Sequence, residues 1–168
     1  DGVDTNPQIS GPFTSVDDPR GYLKFSPDGT KLACANATDG LFLYDFDSNT
    51  GIVSNEFPIN INFSPPNPLK RQDPYGLEFS PNNQFLYVSA AYNPTQVEFN
   101  NPNEQYSSLF QFEVTSPDIN ASSVLLDDRQ MYRSALQLGP DGKIYRTASS
   151  TYNFGLPFLT YINNPNEK

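Results

Sequence analysis

The sequence predicts an all-β protein of repeated antiparallel sheets, and three observations carry the prediction. One phrase occurs three times, as LKFSPDGTKLACA at 23–35, LEFSPNNQFLYVS at 77–89 and LQLGPDGKIYRTA at 136–148. Its anchors Phe25, Phe79 and Leu138 are spaced by 54 and 59 residues, a repeat length that fits one four-stranded sheet per copy. Helix has little room, because 16 Pro and 10 Gly break the 168 residues into short stretches and no long 3.6-residue apolar period appears.

Each element has a local reason. In the first copy Leu23 and Phe25 alternate with Lys24, the period of a half-buried strand. Pro27, lacking an amide hydrogen, ends the pairing, and Asp28-Gly29 supplies positive φ angles for a hairpin turn. Leu32, Cys34 and Asn36 then share one face of a second strand, with Ala33 and Ala35 on the other. Residues 41–46 read as a third strand and 52–59 as a fourth, joined through Ser48, Asn49, Thr50 and Gly51. In the second copy Asn82-Asn83 takes the turn, 108–114 the third strand and 122–126 the fourth. An insertion at 92–106, rich in Asn, Pro and Gln, separates its second and third strands. In the third copy Asp141-Gly142 makes the turn and 158–162 the third strand, and the sequence stops at Lys168 before a fourth. The small residues Ala35, Ser89 and Ala148 share one repeat position, as expected where sheets approach closely.

Repeats of this length, each a strand, a tight turn and further strands, are the mark of β-propeller blades. The competing reading is three unrelated hairpins of a sandwich, against which turn, anchor and small residue all stay in register. As one partial propeller the chain divides into an arm or outer strand of a preceding blade (1–19), two blades (20–72 and 73–131) and an incomplete blade (132–168). Propellers close with about 4–8 blades, so about three blades imply part of a larger propeller. Association of copies into a ring is the second reading, and an isolated three-bladed monomer the third. The expected partners are therefore the remaining blades of the same protein or another copy.

Composition sets further limits. With 36% hydrophobic and 14% aromatic residues the chain can build a core. A net charge of −9 argues against nucleic acid, whose binding needs basic surface, and against anionic membranes. No apolar run approaches the ~20 residues of a membrane-spanning helix, so no membrane insertion is expected. No signal peptide is recognisable, which leaves a cytosolic, processed or excerpted chain. Few Lys, abundant Asn, Tyr and Thr, and acidic loops favour an exported bacterial protein. Cys34 is alone, which excludes an internal disulfide, and reads as a small buried thiol.

Chemistry is narrowed by elimination. With no His, neither a Ser-His-Asp nor a Cys-His nucleophile is available, nor any His-ligated metal. No phosphate-binding Gly loop is present. Paired carboxylates occur at Asp17-Asp18, at Asp45 with Asp47 and at Asp127-Asp128, and they are the only acid–base groups on which a propeller-based carbohydrate-active hydrolase or lyase could rest. No catalytic residue, cofactor or metal ligand is assigned. Turn residues Asp28, Asp39 and Asp141 offer structural calcium at most, without any DxDxDG loop. Asn36, Asn62 and Asn120 head glycosylation sequons that matter only in a host that glycosylates Asn.

A binding site is expected where the innermost strands begin, at Pro19-Arg20, Asp73-Pro74-Tyr75 and Tyr132-Arg133. Arg20 and Arg133 occupy one repeat position, five before the anchor, and two cations on one rim suit a carboxylate or sulfate. The candidate ligand-binding residues are Arg20, Arg133, Tyr75 and Asp73. In the competing reading each Arg merely pairs with a neighbouring Asp (Asp18, Asp73 or Asp128). The Tyr- and Asn-rich insertion 92–106 is a second candidate surface, suited to sugars or proteins.

The repeats also carry a resemblance. FSPDGTKL followed by LFLYDFDSNTGIVSN, PYGLEFSPNNQFLYVS, ALQLGPDGKIY and a closing INNPN resembles the propeller segments of large Bacteroidetes surface proteins. Those proteins end in a gliding-motility-type sorting domain and leave the cell by type IX secretion. The FSPDG element is shared with YVTN-type, lactonase and WD-repeat blades, although this chain has no Trp and so no WD dipeptide. The resemblance implies a secreted or cell-surface, adhesin-like role, with the propeller as a noncatalytic module that binds or displays a protein or glycan ligand.

Overall fold

The computed structural model describes residues 2, 6, 8–11, 13–18, 20–61 and 72–168; the Asn62 sequon and Pro19 lie outside them. Among the described residues the chain is all-β and forms three antiparallel sheets. Sheet 1 runs β1 (Gly21–Phe25), β2 (Lys31–Asn36), β3 (Gly40–Asp47) and β4 (Ile52–Ile59) in order. Sheet 2 repeats the pattern with β5 (Gln72–Phe79), β6 (Phe85–Tyr92), β7 (Ser107–Glu113) and β8 (Val124–Arg129). Sheet 3 has three strands, β9 (Leu136–Leu138), β10 (Ile144–Ser149) and β11 (Gly155–Ile162). No sheet is closed on itself.

Each copy of the phrase folds as a hairpin wider than a two-residue turn. Gly29 N donates to Ser26 O (2.9 Å) and Ser26 N to Lys31 O (3.0 Å). Asn83 N donates likewise to Ser80 O (3.0 Å), and Gly142 N to Gly139 O (3.1 Å). One residue per turn has positive φ, Gly29 (69°), Asn83 (63°) or Gly142 (79°), where two were expected. The residue before it works through its side chain instead. Asp28 Oδ1 accepts from Thr30 N (3.1 Å), and Asn82 Oδ1 accepts from Gln84 N (3.1 Å), as Asx turns do.

The third turn is one residue shorter. Phe25 pairs with Leu32 and Phe79 with Leu86, whereas Leu138 pairs with Ile144. The expected equivalence of Ala35, Ser89 and Ala148 therefore fails at Ala148. A one-residue slip turns a side chain to the other face, and Thr147 takes the corresponding place. The expected strand at 122–126 also moves, because Asn120–Ser122 is a 3₁₀ turn in which Ser122 Oγ donates to Ile119 O (2.6 Å).

The sheets stack in one direction. Ala33, Ala35, Leu41 and Leu43 of sheet 1 pack on Leu77, Phe79, Leu86 and Val88 of sheet 2. The opposite face of sheet 2, with Phe85, Tyr87 and Leu109, packs on Leu136 and Ile144 of sheet 3. In sheets 2 and 3 the anchor face thus meets the preceding sheet. Sheet 1 has no such neighbour among the described residues, so Leu23 and Phe25 are 59% and 50% exposed, while their counterparts Leu77 and Phe79 are both 0% exposed. Described residues of the 1–19 segment form no strand. They lie beside β4, where Ser10 Oγ accepts from Val53 N (3.0 Å) and Phe13 packs edge-on to Tyr44 (5.2 Å).

The first strands of the three sheets, β1, β5 and β9, lie side by side. Their middle residues hold one repeat position and meet: Lys24 Nζ donates to Glu78 Oε2 (2.9 Å) and to Gln137 Oε1 (2.9 Å), and Leu138 N donates to Glu78 Oε2 (2.9 Å). The repeated turns lie at one end of these strands and the candidate site at the other.

Candidate functional site

The site is built where β1, β5 and β9 begin. Tyr75 reaches it through a β-bulge. Pro74 pairs with Ala90 and Gly76 with Ser89, so Tyr75 is the extra residue, and a bulge re-aims a side chain in this way. The Arg133 guanidinium carbon lies 5.3 Å from the Tyr75 ring centroid and 5.2 Å from that of Tyr132, placing the cation against two aromatic rings. Tyr22 meets Tyr75 edge-on at 5.5 Å. On the other flank Tyr132 meets Tyr152 edge-on at 5.7 Å, and Tyr152 stacks on Phe99 at 4.9 Å.

The two expected surfaces prove to be one. Arg133 Nη2 donates to Asn93 Oδ1 (2.6 Å), and both Asn93 and Phe99 belong to the 92–106 insertion. That insertion is shaped by its own bonds: Glu98 Oε2 accepts from Thr95 N (2.7 Å) and Thr95 Oγ1 (2.6 Å), and Gln105 Nε2 donates to Glu98 O (2.8 Å). Asn93, Tyr152 and Phe99 could not be assigned from the sequence, because their role depends on where the insertion folds back. The Asn- and Tyr-rich composition of that insertion was the available signal.

The two arginines part company. Arg20 forms an ion pair with Asp18, its Nε donating to Oδ1 at 2.8 Å and Oδ2 at 3.1 Å. That bond, helped weakly by the charge of Arg133, holds the Asp18 carboxyl at about 2. For Arg20 the pairing with a neighbouring Asp is what the structure shows. Arg133 takes Asn93 and the two rings instead of Asp73 or Asp128. Burial raises the pKa of the Tyr132 hydroxyl, against the opposing charge of Arg133 and, more weakly, of Arg20. Asp73 is buried on β5, paired across the ladder with Ala91.

The carboxylate pairs serve local structure. Asp45 accepts from Asn55 Nδ2 (2.6 Å) and Lys31 Nζ (2.5 Å), which lowers its pKa, while Asp47 caps its own turn through Asn49 N (2.9 Å). Asp127 bridges Arg129 and Arg146, and Asp128 accepts from the Tyr106 hydroxyl, whose pKa burial and that bond push up to about 12. Asp28 and Asp141 accept bonds within their turns, and Asp39 accepts from Asp18 N (2.7 Å). Among the described residues no three acidic or Cys side chains gather as a metal site would require. No helix there is long and apolar enough to cross a membrane. Asn36 is buried, and Asn120 Oδ1 is occupied by Asn60 N (2.7 Å).

No protein-family model matches the chain, and no curated protein matches it. Among solved structures it is similar to a luciferin-regenerating enzyme, with 19% identity and a TM-score of 0.51 over 79% of this chain and 38% of that one. The chain thus spans well under half the length of that structure, and at such identity the likeness concerns the fold and nothing of that enzyme's activity.

Proposed function

We propose that the three sheets are consecutive blades of a β-propeller and that the chain is a noncatalytic binding or display module. We place it in an exported, adhesin-like protein of the Bacteroidetes cell surface that uses type IX secretion. Four features support this reading: the sequence resemblance, the one-directional stacking of equivalent faces, the meeting of Lys24, Glu78 and Gln137, and the open face of sheet 1. The partner of that face is a further blade of the same repeat, from the same protein or another copy.

The observation that carries the binding role is Arg133, held between Tyr75 and Tyr132 with one side-chain acceptor, Asn93. A guanidinium presents five N–H donors in a planar fork suited to carboxylate or sulfate. Its aromatic surround suits the ring of a sugar or the side chain of a protein. The ligand is therefore an anionic group on a glycan or protein.

A binding screen of the chain against sulfated and uronic-acid oligosaccharides, and against acidic peptides, tests this. Arg133→Ala is expected to weaken binding by at least ~10-fold, since charge-assisted hydrogen bonds are the strong ones. Arg20→Ala is expected to cost less, because Asp18 already holds that cation. Full binding after both substitutions overturns the proposal.

A further inference from the structure

A second site lies apart from Arg133, in a cavity of about 230 Å³ between sheets 1 and 2. It is framed by the β2–β3 turn, the end of β4 and the start of β5, with Leu41, Ile59 and Pro74 as apolar wall and Asp39, Gln72 and Asp73, the last also a rim candidate, among its polar groups. The frame is tied at two places, by Asn60 N to Asn120 Oδ1 (2.7 Å) and by Ala37 N to Arg20 O (2.8 Å). Thr38, a β-branched residue, is held on it at a φ of 81°, where such residues are uncommon.

Gln72 is the informative group. It is 8% exposed, and neither its Nε2 nor its Oε1 has a hydrogen-bond partner among the described residues. The buried Gln105 and Gln111 differ, since each donates Nε2 to backbone oxygen and leaves only Oε1 unpaired. A buried amide left wholly unpaired bears the desolvation of both atoms, so its place asks for a partner that both donates and accepts. A cation would satisfy Oε1 alone and an anion Nε2 alone, whereas adjacent hydroxyls satisfy both. Asp39, with one carboxylate oxygen taking Asp18 N (2.7 Å), repels anions and accepts from hydroxyls. At ~30 Å³ per water the volume equals roughly eight waters, room for one pyranose ring.

We infer that this pocket binds one neutral sugar residue, with vicinal hydroxyls on the Gln72 amide and the Asp39 carboxylate and the ring carbons against Leu41 and Pro74. The inference goes beyond the rim reading, because its ligand is uncharged and neither Arg133 nor Tyr132 lines the cavity.

Saturation-transfer NMR of the chain with glucose, galactose, mannose and N-acetylglucosamine, each alone, tests it. At least one sugar is expected to give a signal that Gln72→Leu and Asp39→Asn each weaken by ~10-fold or more and Arg129→Ala leaves intact. Gln72→Leu is expected to melt no lower than the natural chain, since it removes the unpaired amide. No transfer from any of the four sugars, meaning a pocket that holds only water, overturns the inference. So does undiminished transfer in both variants, or a Gln72-dependent rise in melting temperature with calcium chloride and no sugar signal. Loss of acidic ligands alone on Arg133→Ala concerns only the rim.

Discussion

Arg146 is 2% exposed, between sheets 2 and 3, and each nitrogen of its guanidinium donates: Nε to Ser134 Oγ (2.8 Å), Nη1 to Asp127 Oδ2 (2.5 Å) and Nη2 to Ser107 Oγ (3.0 Å). Burial nevertheless lowers its pKa, and removing it would leave Asp127 with Arg129 alone and take one buried donor from each of the two serines. Arg146→Ala is therefore expected to destabilise the fold by about 3 kcal/mol in urea titration. Arg129→Ala, which deletes the more exposed partner of the same Asp127, is expected to cost less than about 1 kcal/mol. Acid stability has its own residue. The folded Asp18 carboxyl is depressed from 3.8 to about 2, so its contribution is present above 3.8 and is lost as pH falls through that window. Asp18→Asn should flatten the loss of melting temperature across the same window and leave stability at neutral pH only slightly lower. Both partners of Arg20 and Arg133 bear on legibility. Their matching position was readable from the repeat, but which one would be tied to an aspartate depended on the path of 92–106.

At the scale of elements the sequence was legible wherever one residue type solves one backbone problem. Asp28-Gly29, Asn82-Asn83 and Asp141-Gly142 announced three hairpins, and the structure corrects the division of labour between cap and positive φ and the length of the third turn. What was not legible was contact between sheets. Gly76 looks like an ordinary glycine in PYGLEF, yet a Cβ there would lie 2.2 Å from Ser134 O and 3.0 Å from Ala135 Cα. Close approach of β5 to the backbone leading into β9 depends on it. Gly76→Ala is expected to lower stability by about 1–3 kcal/mol, as overpacking does, whereas Gly155→Ala, with nothing within 4 Å of the added carbon, should be nearly neutral. Equal denaturation midpoints for the two variants would contradict the account of that junction.

For the whole molecule, the sequence announced three equivalent units and the structure gives them a direction, each anchor face turned to the preceding sheet. Leu23 and Phe25 then sit where Leu77 and Phe79 are fully covered, and covering a large apolar side chain is worth about 1.5–3 kcal/mol. At the other end β11 is an edge strand with Phe158 and Tyr161 exposed, in a sheet that lacks the fourth strand its two counterparts have. Whether further sheets extend the array was not legible, because a repeat encodes its neighbour contacts and not their number. An open, apolar sheet face is a liability unless something packs on it. Sedimentation velocity of the chain over a range of micromolar concentrations, with Leu23→Lys/Phe25→Lys alongside, tests this most directly. The account predicts concentration-dependent self-association of the natural chain through that face, abolished in the double variant while its far-ultraviolet spectrum is kept. A natural chain that stays monomeric throughout, indistinguishable from the variant, would contradict it.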